Sequence, residues 1–198
     1  MRHSFFAQFR RVRFAVLTAL LYLALSMLFA VQGVSQTKPT KPMSTVEQRL
    51  LSLGVTLPTP SKPLAAYIPA VQTGNLVFTS GQLPLVDGQL IQGGKGKVGM
   101  IVGKEEAKAA ARVCAINALA AIRQLIGDLD KIERVVKLTV FVASESGFTE
   151  QPFVGNGASD FFNDVFGENG RHARSAVGVA ELPLGASVEV EVVVSLKP

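Results

Sequence analysis

The 23 residues from Lys104 to Ile126 contain no proline and no internal glycine, are dense in alanine, and end at Gly127. Alanine is the least costly residue in a helix, and a glycine just past the last turn supplies a left-handed stop, so the stretch predicts one long helix. Ala107, Ala111, Cys114, Ala118, Ala121 and Leu125 recur at three- and four-residue steps, while Lys104, Lys108 and Arg112 line another side. One apolar stripe and one wet face follow from that spacing. Because the stripe is built from small side chains, the helix can lie close to a sheet. Cys114 falls inside the stripe with no obvious histidine partner, which reads as a buried structural thiol rather than a nucleophile.

The flanking segments supply the sheet. Thr45 to Leu53 has a short helical pattern, and Gly54, Pro58, Pro60 and Pro63 then make an extended lead-in. Leu64 to Val71 and Asn75 to Ser80 are apolar segments around Thr73-Gly74-Asn75 and predict a β-hairpin. Pro84 to Gly103 is a glycine-rich loop, expected to be mobile until something packs on it, with a mild positive tip at Lys95 and Lys97. Val135 to Ala143 predicts a strand with Val136, Leu138, Val140 and Val142 on one face. A second helix is expected over Gly157 to Phe166, where Ala158, Phe161, Phe162, Val165 and Phe166 fall on one core stripe. Arg174 to Ala180 and Ser187 to Leu196 predict two further strands, joined through Pro183-Leu184-Gly185. In the second, Val188, Val190, Val192, Val194 and Leu196 share a face and leave Glu189 and Glu191 together on the other. The order is β-β-α-β-α-β-β, an α/β domain of the α+β kind, with two helices packed on one face of a mixed sheet. The opposite face stays partly apolar and predicts burial by other subunits.

At 198 residues the chain has room for one ordinary domain. Its net charge of +5 comes from the first 42 residues, which hold six basic residues and no acid. That leaves 14 basic and 15 acidic residues in 43–198, a balance near −1 that offers little field for nucleic acid. Basic residues up to Arg13, an 18-residue apolar run from Phe14 to Val31, and a polar stretch to Pro42 resemble a signal peptide or signal anchor. A protein that keeps or uses this leader is exported or membrane-anchored. If translation instead starts at Met43, the leader is a misassigned upstream start and the protein is cytoplasmic. The domain expected in either case is 43–198.

Several chemistries lack their residues. The two histidines, His3 and His172, form no metal-ligand spacing, so no metal is expected. The Gly-Lys-Ser/Thr of a phosphate-binding loop and the Gly-x-Ser-x-Gly elbow of serine hydrolases are both missing. What remains is an anion clamp and an acid able to move a proton. Arg174, between Ala173 and Ser175 at the start of a strand, can hold a carboxylate by two parallel hydrogen bonds in a way lysine cannot copy. The same arginine also reads as an intersubunit or surface ion pair, and Glu189 as a solvated strand-face charge.

Three stretches resemble the signatures of the RidA (YjgF/YER057c/UK114) family: GNLVFTSGQLP at Gly74 to Pro84, VVKLTVFV at Val135 to Val142, and ARSAVGVAELPLGASVEVEVV at Ala173 to Val193. The likeness spans roughly Tyr67 to Leu196. It implies a chorismate-mutase-like fold and a homotrimer with clefts between neighbouring subunits. The implied activity is hydrolysis of enamines and imines such as 2-aminoacrylate to 2-keto acids and ammonia, without a cofactor. Matched motif by motif, Arg174 corresponds to the arginine for the substrate carboxylate and Glu189 to the glutamate beside the hydrolytic water. Tyr67, Ser80, Gly81 and Asn156 correspond to the remaining substrate-binding positions, and Glu191 is the substitute for Glu189 if the strand register differs by two.

The chain departs from typical members at Ala65-Ala66, at Arg171-His172-Ala173 before Arg174, and in its longer glycine-rich loop. These departures resemble the longer bacterial proteins called endoribonuclease L-PSP-like. Arg171 and His172 could widen the cleft or alter its pH response. Two competing functions are a non-catalytic trimer that binds small carboxylates and an endoribonuclease or RNA-binding protein. The near-neutral domain and the lack of an aromatic-basic stripe argue against the latter.

Overall fold

A computed structural model describes residues 44–60 and 66–198. The leader, the start at Met43, and the expectations at Pro63, Leu64 and Ala65 lie outside the described residues. Helix α1 (Thr45–Ser52) begins at Ser44, whose hydroxyl accepts from the Glu47 N–H while Glu47 reaches back to the Ser44 N–H. Asp130 ties this helix down by accepting from the Thr45 and Val46 N–H groups at 2.8 and 2.9 Å.

Five strands form the main sheet in the order β1-β2-β7-β5-β6. They are β1 (Ala70–Thr73), β2 (Leu76–Thr79), β5 (Ile132–Ala143), β6 (Ala173–Val179) and β7 (Val188–Leu196). All neighbours run antiparallel except β5 and β6, so the sheet is mixed, as expected. Helices α2 (Lys104–Ile126) and α3 (Gln151–Phe166) cover one face. Val188, Val190, Val192 and Val194 meet them and are almost wholly shielded from solvent, as are Phe161 and Phe162. Cys114 is fully buried in this layer, with its Sγ 3.6 Å from the Val188 carbonyl oxygen. Its thiol pKa is pushed well up, first by burial and then by the charge of Glu189.

The basic side of α2 binds α3. Lys104, Lys108 and Arg112 lie 2.6, 3.2 and 3.8 Å from Glu150, Asp160 and Asp164, and the two lysines lean over the Phe153 ring. The helix backbones approach most closely at Gly157, where a Cβ would stand 1.9 Å from the Lys108 carbonyl oxygen. This contact explains a glycine in mid-helix despite its conformational cost.

Three expectations need correction. Helix α3 starts at Gln151, not Gly157: Pro152 suits a first helical turn, and Gly155 and Gly157 are small for packing reasons rather than helix-ending ones. Within β5 the inward series takes Val135 in place of Val136, because register shifts between Ile132 and Arg134 and between Val135 and Lys137 mark bulges that reverse the alternation. The glycine-rich loop also holds regular structure that was not predicted. It contains a hairpin of β3 (Leu85–Val86) and β4 (Gln89–Leu90), turning at Asp87 and Gly88, both with positive φ. Beyond that hairpin, Val98 and Val102 are buried and Lys95 bridges to Ala186.

Candidate functional site

Arg174 sits on the edge strand β6, opposite Leu138 of β5, and so faces the helix layer. Its guanidinium lies against the first half of α3. Nη1 donates to Asn156 Oδ1 and to Ser159 Oγ, each at 2.9 Å, and Nη2 donates to the Pro152 carbonyl oxygen at 3.1 Å. Gly155 makes room for it, since a Cβ there would come within 3.3 Å of Nη1. An arginine has five N–H donors. The three bonds leave the Nε–H and one Nη2–H for something else. All three acceptors are uncharged, and among the described residues no carboxylate pairs with Arg174. The group is therefore a positive charge held in place with two donors to offer, which suits a carboxylate.

His172 extends this cluster. Its Nε2 lies 3.0 Å from Ser159 Oγ, and its Nδ1 contacts the Gly170 carbonyl oxygen. Burial is the main cause holding its pKa below the ordinary histidine value, with the Arg174 charge acting in the same direction and the Gly170 carbonyl opposing both.

Glu189 belongs to a different group. It pairs with Phe141 across β5–β7 and so points to the open face of the sheet. Gly81 abuts it: a Cβ on that glycine would fall 1.6 Å from Glu189 Oε1. Burial raises the pKa of the half-buried carboxyl, and the neighbouring Glu191 raises it further. Ser80 holds the lead-in on which Tyr67 stands, donating its hydroxyl to the Ile68 carbonyl at 2.7 Å and its N–H to the Pro69 carbonyl at 2.9 Å. Tyr67 itself is more than half exposed.

The six residues singled out from sequence thus fall into two sets. Gly81 and Glu189 meet, with Ser80 next in the chain to Gly81 and tied to the segment that carries Tyr67; Asn156 and Arg174 meet elsewhere, on the other side of the sheet with β5 between. Sequence reasoning missed Ser159 and Pro152 as partners of Arg174. Ser159 stands three residues beyond Asn156, one turn along the same helix face, and that spacing is the signal that could have found it. Among the described residues no three of histidine, cysteine, aspartate and glutamate cluster as a metal site.

Residues 47–196 match the family described as "YjgF/chorismate mutase-like, putative endoribonuclease". Protein TCP17 of Trypanosoma cruzi is 47% identical over 154 residues, covering 76% of this chain and 94% of that protein. The 2-iminobutanoate/2-iminopropanoate deaminase of Dermatophagoides farinae is 32% identical over 143 residues, covering 72% and 95%. In three dimensions the chain is similar to the crystal structure of Atu1372 from Agrobacterium tumefaciens, a protein of unknown function. That similarity has a TM-score of 0.71 at 48% identity and covers 77% of this chain and 92% of the other.

Proposed function

Because the chain belongs to the RidA (YjgF/YER057c/UK114) family, which includes endoribonuclease-named members, we propose that it takes small 2-imino and 2-oxo carboxylates at Arg174 and hydrolyses the imines. The observation that carries this reading is the guanidinium of Arg174, held by three neutral acceptors with two donors left and, among the described residues, no carboxylate paired with it. Charge-assisted bonds of that kind contribute about 1.5 to 3 kcal/mol each.

Hydrolysis needs a proton carrier as well as a clamp. An enamine first tautomerises to the imine; water then adds to the imine carbon, and the C–N bond breaks to leave a 2-keto acid and ammonia. Glu189 is the group we assign to moving protons between water and nitrogen, since its raised pKa brings its two forms closer in energy near neutral pH. Arg174 and Glu189 face opposite sides of their own sheet, so one substrate can meet both only if a second copy brings its Glu189 face to the first copy's Arg174. A homotrimer with three such clefts satisfies this by symmetry. Two other readings compete. Capture of carboxylates without turnover would use the same arginine and ask nothing of Glu189. The endoribonuclease wording of the family favours RNA as the alternative substrate, and a steep fall of RNA affinity with salt would support it.

The test measures 2-keto acid release from freshly generated 2-aminoacrylate. Arg174→Ala and Glu189→Gln should each fall to the buffer rate. Co-refolded in equal amounts, the two should recover about a quarter of wild-type activity, because half the clefts find an intact arginine and half of those an intact glutamate. Wild-type release no faster than buffer rejects the catalytic assignment, and failure to complement rejects the shared cleft.

A further inference from the structure

We propose that Ser159 and His172 are positioning residues, which hold the Arg174 guanidinium through a single-direction chain of hydrogen bonds and thereby set how tightly it grips a carboxylate. The inference rests on the preceding reading, that Arg174 receives the carboxylate.

The chain follows from counting protons. Arg174 Nη1 can only donate, so at 2.9 Å Ser159 Oγ must accept from it. A serine hydroxyl has one proton, which then needs an acceptor of its own. His172 Nε2, at 3.0 Å, provides one only when the ring is neutral and carries its hydrogen on Nδ1. The Gly170 carbonyl, in contact with Nδ1, fixes that tautomer, because a carbonyl can only accept. One arrangement satisfies every member: Arg174 to Ser159, Ser159 to His172, His172 to Gly170. The lowered pKa of His172 keeps the ring in the neutral form this arrangement needs.

The geometry also explains why the arginine needs holding. β6 is an edge strand, and a long flexible side chain there has open solvent to sample. Asn156 and Ser159 stand three residues apart on α3 and take both hydrogens of Nη1, which lays the guanidinium along the helix. The Nε–H and the remaining Nη2–H are then the donors left for a carboxylate. Removing Ser159, or the acceptor that orients its proton, frees the guanidinium to turn and restores the ordering cost to each binding event.

Calorimetric titration of the full-length protein with pyruvate, an unreactive 2-oxo acid, tests this, with thermal unfolding recorded alongside. Losing one such bond should raise the Kd about 3- to 10-fold, and that is the expectation for Ser159→Ala and for His172→Asn, which keeps a donor for Gly170 but offers Ser159 no acceptor. Ser159→Thr keeps the hydroxyl, and His172→Gln can place an amide oxygen where Nε2 stood; both should bind within about twofold of wild type. If His172→Gln binds no better than His172→Asn, the directional chain is refuted. If Ser159→Ala and His172→Asn bind as wild type while Arg174→Ala does not, the positioning role is refuted and the carboxylate site stands. If Arg174→Ala binds pyruvate as wild type does, the underlying reading of Arg174 fails, and this inference with it. A drop in melting temperature with no change in Kd would mark the pair as merely structural and also refute the inference.

Discussion

Gly81→Ala should nearly abolish imine hydrolysis while leaving the fold intact. The added methyl would stand 1.6 Å from Glu189 Oε1, 2.6 Å from its Cδ and 2.9 Å from its Cγ. Ordinary contact begins near 3.4 Å, so the carboxylate oxygen has to retreat by about 1.8 Å (3.4 less 1.6). The obstruction is the far end of a flexible side chain rather than backbone, and Gly81 is not among the positive-φ glycines. Alanine therefore fits the local conformation, and its smaller unfolded-state entropy offsets part of the cost of moving Glu189, leaving a net stability change of about 1 kcal/mol or less. Catalysis has no such tolerance, since a misplacement of about 1 Å can cost roughly 100-fold. The expected result is a loss of about 100-fold or more in turnover of 2-aminoacrylate, with pyruvate affinity at Arg174 changed far less and melting temperature nearly constant. A Gly81→Ala protein that folds and turns over like wild type would show that Glu189 in this position does not handle the proton.

Three further outcomes concern Gly157, Glu189 and Glu191. Gly157→Ala should behave in the opposite sense, because its methyl would meet backbone, 1.9 Å from the Lys108 carbonyl oxygen; overpacking of about 1 to 3 kcal/mol predicts a melting temperature lower by several degrees in a thermal scan. For Glu189, whose folded pKa is raised by burial and then by Glu191, the stability penalty is absent below the ordinary glutamate value and grows as pH rises through the folded value. Glu189→Gln should accordingly gain stability over wild type at pH 8 but not at pH 4 in chemical denaturation. Glu191→Gln should shift the acid limb of the kcat/KM profile to lower pH.

How much of this was legible in the sequence depended on whether a pattern was local. Lys104–Ile126 has the predicted ends because alanine content, the lack of breakers and the Gly127 stop all act within one helix. The β7 alternation was equally plain, as five apolar residues in step leave no second choice of face. Helix α3 was read six residues short because Gly155 and Gly157 look like breakers until the Arg174 guanidinium and the α2 backbone are seen lying against them. The bulges in β5 were hidden for a related reason. Nothing in a run of hydrophobic residues says that Val135 rather than Val136 turns inward, since that choice is made by the pairing with β7.

The division of the site follows from the same kind of non-local fact. Strand β6 offers two candidate faces: Arg174, Ala176 and Gly178 on one, Ser175, Val177 and Val179 on the other. Hydrophobicity favours turning the valines toward the helices, yet Val177 is 45% exposed and Arg174 takes the helix side. There α3 receives it, with the Asn156 and Ser159 side chains and the Pro152 carbonyl giving the guanidinium three acceptors. Register then fixes the rest. Arg174 stands opposite Leu138 and Glu189 opposite Phe141, three residues apart on β5, and an odd offset along a strand places the two side chains on opposite faces. No rotamer change in one chain undoes an odd offset. A single carboxylate substrate that touches both groups would therefore lie between two copies, and the partly apolar open face, with Val71, Phe78 and Val177 exposed, is the surface such a second copy would cover.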